Sequence, residues 1–243
     1  MKWGEFPVDS ASALIVMTAT IDPGRLDNLV LMDPQLRWNQ YQESLGFWLN
    51  HPSVKDVVFF ENSGCAVDFS PVQQAATRLG KRLEIVTYKG NAGTSERGRG
   101  YGEGELLNRV LNQSYLIRDQ ESFFKVTGRF KVLNFARLEA SSRHQPVVVN
   151  ARSLKKRQWV DTRFFKMTPK FYRDHLAHVH QEANSIDYVL GEGYARALHG
   201  LSLPAFRVPL QVVGVAGNGN PYQDSPLKLA VKSVFALTGC YRV

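Results

Sequence analysis

The sequence predicts an α/β fold in which a mostly parallel central sheet carries helices on both faces. The first evidence is the run 13–20, which is continuously apolar and ends in small polar residues, as buried parallel strands do. The second is that strand-like runs alternate with segments of helical spacing in the first half of the chain. The third is size, because 243 residues with 44% hydrophobic side chains can bury a large core.

The first half of the chain is regular. The segment 35–50 places apolar side chains at helical spacing and stops at His51-Pro52. A glycine-rich loop is expected over 89–104, before a helix that begins at Glu105. The other expected elements are strands at 56–61 and 83–88, helices at 71–79 and 105–117, and, at 123–126 and 131–134, either two strands or one strand interrupted at Gly128.

The second half of the chain is less regular. Its expected elements are strands at 146–150, 158–165 and 206–213, helices at 168–183, 187–198 and 225–237, and a second glycine-rich loop at 214–219. The sequence contains no internal repeat and no low-complexity linker. We therefore expect residues 1–243 to form a single domain with two lobes.

Composition excludes several classes of protein. The chain has two cysteines, Cys65 and Cys240, so it is not a disulfide-rich secreted scaffold, and a reducing compartment is expected. No apolar run approaches the roughly 20 residues of a membrane-spanning helix. Residues 1–12 lack the apolar core of a signal peptide. These features predict a cytoplasmic protein.

Positive charge is concentrated in one segment. The formal net charge is +8, and residues 137–173 hold ten Lys or Arg against two acids. Such a segment attracts anions, whether nucleic acid, anionic lipid or a phosphorylated substrate. A helix at 225–237 with an apolar side, followed by Arg242, predicts peripheral contact with an anionic membrane, unless this helix closes the protein's own core. The aromatic residues interleaved with the basic segment are Trp159, Phe164, Phe165, Phe171 and Tyr172.

Two motifs are candidates for phosphate binding. Four alternate glycines between Gly98 and Gly104 would let the backbone approach a ligand at a helix N-terminus, although a plain surface loop is the alternative. They do not form a Walker A loop, and they fit a dinucleotide fingerprint poorly because they follow the third strand. In the second motif, Lys125 and Arg129 flank Gly128 and could both face a phosphate, or could form a basic turn.

Candidate acids and metal ligands come late in the sequence. Asp161, Glu182 and Asp187 are candidates for a general base, although Asp187 could instead cap a helix. His175 and His178 have i,i+3 spacing, which more often reflects exposed helix residues than a metal site. The sequence has no Asp-x-Asp, no His-Glu-x-x-His and no paired cysteine motif, so no metal site is expected.

Five segments together resemble a family of bacterial glycosyltransferases that build surface polysaccharide or lipopolysaccharide. They occur in this order over about residues 13–200: Leu14–Thr20, Phe60–Gly64, Gly98–Glu105, Lys125–Arg129 and Asp161–Phe165. The resemblance implies a GT-A-like, Rossmann-related domain that moves a sugar from a nucleotide-sugar donor to a glycan or lipid-linked acceptor. It also implies that about residues 13–135 bind the donor and about 136–243 bind the acceptor.

The resemblance assigns roles to individual positions. It implies donor contacts at Thr18, Ala19, Thr20, Glu61, Asn62, Ser63, Gly64, Gly98, Gly100, Gly102, Glu103, Lys125, Thr127, Gly128 and Arg129, and acceptor contact at Arg163. An inverting transferase would also need one carboxylate to deprotonate the acceptor hydroxyl, and Asp161, Glu182 and Asp187 are the candidates. Where many GT-A enzymes carry Asp-x-Asp, this chain has Lys125-Val-Thr-Gly-Arg129. We therefore expect basic residues to stabilise the leaving diphosphate without a cofactor, with Mg²⁺ or Mn²⁺ as the alternative.

Two other functions remain open from the sequence. One is another nucleotide-binding α/β enzyme, such as a nucleotidyltransferase or a dinucleotide reductase. The other is a nucleic-acid-binding protein that uses the basic segment 137–173, although the chain lacks a helix-turn-helix, an RNP-type aromatic motif and a zinc finger. The glycosyltransferase interpretation expects no nucleic-acid partner.

Overall fold

A computed structural model describes residues 13–24, 29–90, 93–154, 157–216, 219 and 221–237. In chain order the elements are β1 (Ala13–Ala19), α1 (Pro34–Asn50), β2 (Val54–Glu61), α2 (Ser70–Arg78), β3 (Arg82–Thr87), α3 (Thr94–Gln113), α4 (Tyr115–Arg118), β4 (Phe123–Thr127), β5 (Phe130–Val132), α5 (Phe135–Ser142), β6 (Ala151–Leu154), β7 (Arg157–Val160), β8 (Phe164–Met167), α6 (Pro169–His175), a 3-10 helix (Val179–Glu182), α7 (Leu190–Ala197), β9 (Val212–Val215), β10 (Pro221–Gln223) and α8 (Pro226–Leu237).

The central sheet has five strands in the order β3-β2-β1-β4-β8. The first four strands are parallel, and β8 pairs antiparallel with β4 at the edge. Every residue of β1 is buried, as its continuous apolar sequence predicts for a strand covered on both faces. The prediction of a mostly parallel central sheet is confirmed.

Successive side chains of the central strands alternate between two apolar cores. Ile15 and Met17 of β1 pack in one core with residues of α1, α2 and α5. Leu14 and Val16 pack in the other core with residues of α3, α6 and α7. The alternation follows from the two-residue period of a strand, and it confirms helices on both faces. Two small antiparallel sheets, β10-β9-β5 and β6-β7, complete the fold.

The second half of the chain differs from its predicted elements. Segment 146–150 forms no strand, and Val148 makes only an isolated bridge to Lys166. The predicted strand 158–165 is divided into β7 and β8 by a turn. Asp161 forms this turn because its carboxylate accepts a hydrogen bond from the backbone N–H of Arg163 at 3.1 Å. The predicted helix 168–183 is divided into α6 and the 3-10 helix.

The basic segment 137–173 is not a continuous exposed surface. Phe164, Phe165 and Tyr172 are completely buried in the two cores. Lys166 is also buried, and its Nζ donates to the carbonyl oxygen of Ser142 at 2.7 Å. These four side chains are therefore not available to a membrane or to nucleic acid, which corrects the expectation for this segment. Lys155, Lys156 and Arg242, which contributed to that expectation, lie outside the described residues.

Helix α8 has exposed apolar side chains and a buried lysine. Leu227, Val231 and Val234 are exposed. Lys232 is buried and pairs with Asp224, so this lysine is not part of an exposed basic face. Among the described helices, none is both long enough and apolar enough to cross a bilayer.

The glycine-rich segment forms part of a helix. Helix α3 starts at Thr94, before the predicted start at Glu105, and it is kinked at Gly98, where φ is +81°. A Cβ at Gly98 would lie 2.4 Å from the carbonyl oxygen of Ile186, and one at Gly104 would lie 2.4 Å from Cβ of His180. The alternate glycines thus let α3 pack directly against the 3-10 helix and the segment before α7.

Replacing Gly98 by alanine should lower the free energy of unfolding. A side chain at positive φ costs about 1–3 kcal/mol, and the contact with the Ile186 carbonyl adds to that cost. Gly46→Ala is a matched control because Gly46 lies inside α1 with open space around its Cβ, and it should raise stability by about 0.5–1 kcal/mol. Urea denaturation of both variants measures the difference. Equal effects would contradict the packing role of Gly98.

Candidate active site

A cavity of about 360 Å³ opens at the carboxyl ends of β1 and β4. The chain runs outward from β1 through β2 to β3 and then crosses to β4, on the other side of β1. The strand order therefore reverses between β1 and β4, and ligands of open α/β sheets bind at this reversal. The volume lies within the roughly 300–1000 Å³ of small-molecule sites. This cavity, called the cleft below, is the candidate active site.

The strand-end residues of β1 and β2 form one wall of the cleft. Thr18, Ala19, Thr20 and Asn62, all predicted donor-binding residues, line it. The backbone N–H of Thr20 donates to the Tyr41 hydroxyl at 3.0 Å, and Thr20 Oγ1 donates to Asn62 Oδ1 at 2.6 Å. These two hydrogen bonds hold the polar side chains of this wall in place.

Glu61, Ser63 and Gly64 lie behind this wall and do not line the cleft. Glu61 is completely buried, and its carboxylate accepts hydrogen bonds from the backbone N–H groups of Ile21, Ser63 and Gly64 at 2.8–2.9 Å. It therefore ties the loop after β1 to the loop after β2. These three residues, which were predicted to contact the donor, therefore support the wall of the cleft from behind and do not form its surface.

One face of α3 forms the opposite wall. The lining residues Arg99, Gly102, Glu103 and Leu106 have the i, i+3, i+4, i+7 spacing of a single helical face. Gly98 and Gly100 point away from the cleft toward the segment before α7, where a Cβ on Gly100 would lie 2.8 Å from the Tyr188 carbonyl oxygen. Of the glycines predicted to bind the donor, Gly102 is in the wall.

Lys125 lies in β4 beneath the cleft and is completely buried. Its ammonium contacts the carboxylate of Glu103, Thr127 Oγ1 at 3.0 Å and the carbonyl oxygen of Thr162 at 2.5 Å. A lysine has three N–H donors, and these three partners account for all of them. The side chain is therefore engaged within the protein, which does not fit the prediction that it holds a diphosphate.

Two buried arginines lie in the cleft wall. Arg37 of α1 donates to the carbonyl oxygen of Thr20 at 2.6 and 2.8 Å, and Arg129 donates to Gln40 Oε1 at 3.2 Å. Among the described residues, neither guanidinium forms an ion pair with a carboxylate. Burial lowers the pKa of Arg129 below its ordinary value, and the Arg37 charge acts in the same direction. An anion in the cleft would compensate both charges.

The turn after β4 carries Arg129 into the cleft. Gly128 donates its N–H to the Thr18 carbonyl oxygen at 2.9 Å, and a Cβ at this position would lie 2.6 Å from the same oxygen. Glycine is needed here because the two strand ends approach each other so closely. Thr127 lines the cleft beside Arg129.

Arg163 and Asp161 form a bidentate ion pair at the far side of the cleft. Arg163 Nε and Nη2 donate to the two carboxylate oxygens of Asp161 at 2.8 and 2.6 Å. Burial lowers the pKa of Arg163, but the hydrogen bonds to Asp161 outweigh it, so the pKa is raised overall. Arg163, the predicted acceptor residue, lines the cleft, whereas Asp161 lies behind it and lines a small neighbouring pocket.

The other two predicted catalytic acids lie outside the cleft wall. Glu182 is exposed and pairs with Arg196 at 2.7 Å. Asp187 is exposed too, and the N-cap of α7 is Val189, so Asp187 does not cap this helix. Among the acids of the described residues, the one that lines the cleft is Glu103. The described part of the chain brings together no group of three or more His, Cys, Asp or Glu that could hold a metal ion.

Comparison with known proteins gives a similarity at the level of structure. Neither a protein-family model nor a curated protein matches the sequence. Among solved structures, the chain is similar to the apo structure of the WbbM bifunctional glycosyltransferase, with 10% sequence identity and a TM-score of 0.41. The match covers 80% of this chain and 38% of that chain, so this chain spans well under half of the protein that it matches.

Proposed function

We propose that this protein is a glycosyltransferase that moves a sugar from a nucleoside-diphosphate sugar to a hydroxyl of a surface glycan or lipid-linked acceptor. The observation that carries the proposal is the pair of buried arginines, Arg37 and Arg129, which line the cleft and have no carboxylate partner among the described residues. Burying a charge without a counterion is costly, so such a pair indicates an anionic ligand. A diphosphate has the matching charge.

The same charges suit the chemistry of glycosyl transfer. When the bond between the sugar and the diphosphate breaks, negative charge develops on the leaving phosphate, and fixed cations stabilise it. Arg37 and Arg129 come from α1 and from the turn after β4, so the fold holds them before a ligand arrives. In this proposal they take the place of a divalent metal, and the five segments that resemble polysaccharide glycosyltransferases support the same reaction.

The walls of the cleft suggest how the two substrates are divided. Most lining residues come from residues 13–135, whereas Thr162, Arg163 and Ala216 come from residues 136–243. We place the nucleotide against the strand ends of β1 and β2 and the acceptor beside Arg163. A nucleotidyltransferase needs metal-binding acids near the triphosphate, and Glu103 is the single acid among the described lining residues.

Nucleotide sugars should stabilise the folded protein, and they should do so in the presence of EDTA. At about 100 times the dissociation constant, a ligand that binds only the folded state adds about 2.7 kcal/mol. The measurement is a thermal-shift series with UDP-, GDP-, CDP- and dTDP-sugars, each with excess EDTA and with Mg²⁺. No shift with any of them would contradict the proposal, and shifts that need Mg²⁺ would contradict its metal-independent form.

A further inference from the structure

We propose that Glu103 is the catalytic base, the carboxylate that takes the proton from the acceptor hydroxyl. This inference deepens the proposed function and rests on it. Glu103 was expected only to contact the donor, while Asp161, Glu182 and Asp187 were the candidates for the base. The structure reverses this order, because it is Glu103 that reaches the cleft among these four acids.

The position of Glu103 combines access with fixed orientation. Its side chain is 25% exposed and lies on the face of α3 that lines the cleft. The buried ammonium of Lys125 contacts its Oε1 atom and is itself held by Thr127 and Thr162. A carboxylate offers about four acceptor sites, so this contact leaves Glu103 able to accept a hydroxyl proton as well. Catalytic geometry of this kind requires a carboxylate that does not swing between orientations.

The alternative acids are less suited to the role. Both oxygens of Asp161 accept hydrogen bonds from the Arg163 guanidinium, and Asp161 lies behind the wall that Arg163 forms. Glu182 is bound to Arg196 at the surface, and Asp187 is exposed outside the cleft. Among these four acids, Glu103 is therefore the one that a hydroxyl bound in the cleft would contact.

The step is a single displacement. The acceptor hydroxyl transfers its proton to the Glu103 carboxylate, and its oxygen forms a bond to C1 of the donor sugar. The bond from C1 to the phosphate oxygen breaks, and the electron pair leaves with the nucleoside diphosphate, whose charge Arg37 and Arg129 stabilise. Because attack and departure take place on opposite sides of C1, the product has inverted anomeric configuration.

The test uses Glu103→Gln, which removes the base while keeping the size and the hydrogen-bonding shape of the side chain. General-base catalysis contributes typically 10²–10⁴-fold, so kcat should fall by about that factor. The Kd of the nucleoside diphosphate, measured by calorimetry, should stay within about twofold of wild type. Glu105→Gln is the matched control, because Glu105 lies two residues further along α3 and pairs with Arg109 outside the cleft. It should keep wild-type kcat.

Three results would overturn the inference. They are unchanged kcat in Glu103→Gln, a loss of nucleotide affinity as large as the loss of kcat, and a product of retained configuration. The configuration of the wild-type product tests the step even where a variant does not fold. If the wild-type protein bound no nucleotide sugar at all, the proposed function itself would fail, which is a distinguishable result.

Discussion

Replacing Arg129 by alanine should weaken the binding of a nucleoside diphosphate at least tenfold while the protein remains folded. A hydrogen bond to a charged group contributes about 1.5–3 kcal/mol, and every 1.4 kcal/mol corresponds to a factor of ten. Arg129 is buried in the cleft wall beside a second cation, Arg37, which lowers its pKa in addition to the effect of burial. Removing Arg129 relieves this repulsion in the empty protein, so stability should change little while affinity falls. Calorimetry measures the affinity.

Arg173→Ala is the matched control for this experiment. Arg173 is exposed on α6 and does not line the cleft, so the substitution removes the same charge from a different place. Its nucleotide affinity should stay within about twofold of wild type. A similar loss in both variants would mean that net charge, and not the position of Arg129, governs binding. Unchanged affinity in Arg129→Ala would remove the main support for the proposed function.

Replacing Lys125 by alanine should lower the free energy of unfolding by about 2–5 kcal/mol, which is the usual cost of truncating a long, completely buried side chain to alanine. The substitution removes a completely buried ammonium with three partners and leaves Glu103 without its cation. Lys131→Ala is the control, since Lys131 pairs at 2.5 Å with Glu43, whose side chain is 69% exposed. This exposed pair should contribute at most about 1 kcal/mol. Urea denaturation compares the two variants.

The two predictions separate residues that the sequence had grouped. Lys125 and Arg129 were expected to hold the same diphosphate, but their side chains differ in position: Lys125 is beneath the cleft and Arg129 is in its wall. Loss of nucleotide binding in Lys125→Ala without loss of stability would show that Lys125 contacts the ligand. Such a result would also remove the support that Lys125 gives to Glu103.

The sequence predicted the central sheet because the relevant signal is local. A strand buried on both faces must be apolar at consecutive positions, so β1 and β2 were recognised close to their observed bounds. Thr18, Thr20 and Asn62, which the resemblance assigned to donor contact, follow from these strands to the carboxyl edge of the sheet and line the cleft. Their role in binding remains a prediction.

The glycine-rich segment shows where local signals were insufficient. Alternate glycines predict a flexible loop, yet the segment forms part of α3, because its glycines let the helix pack against the 3-10 helix and the segment before α7. Gly98 and Gly100 pack against the segment Ile186 to Tyr188, which lies almost ninety residues later in the chain. No local sequence pattern reveals such a contact.

The cleft contains residues that sequence reasoning missed altogether. Sequence reasoning did not single out Arg37 and Tyr41 from the apolar positions of α1, although their i,i+4 spacing places them on one side of the helix. Arg99 was passed over as part of the glycine-rich segment. A charged residue on the buried, mostly apolar side of a helix is the signal that could have found Arg37.

The sequence by itself determined the α/β class and the mostly parallel sheet, because these depend on hydrophobic periodicity along short stretches of chain. The tertiary structure alone decided which charges face the cleft. Lys125 is neutralised from α3 by Glu103, Asp161 is held by Arg163, and Arg37 and Arg129 receive no carboxylate from the described residues. Whether a charge is compensated depends on residues distant in sequence, because Coulomb interactions act between neighbours in space.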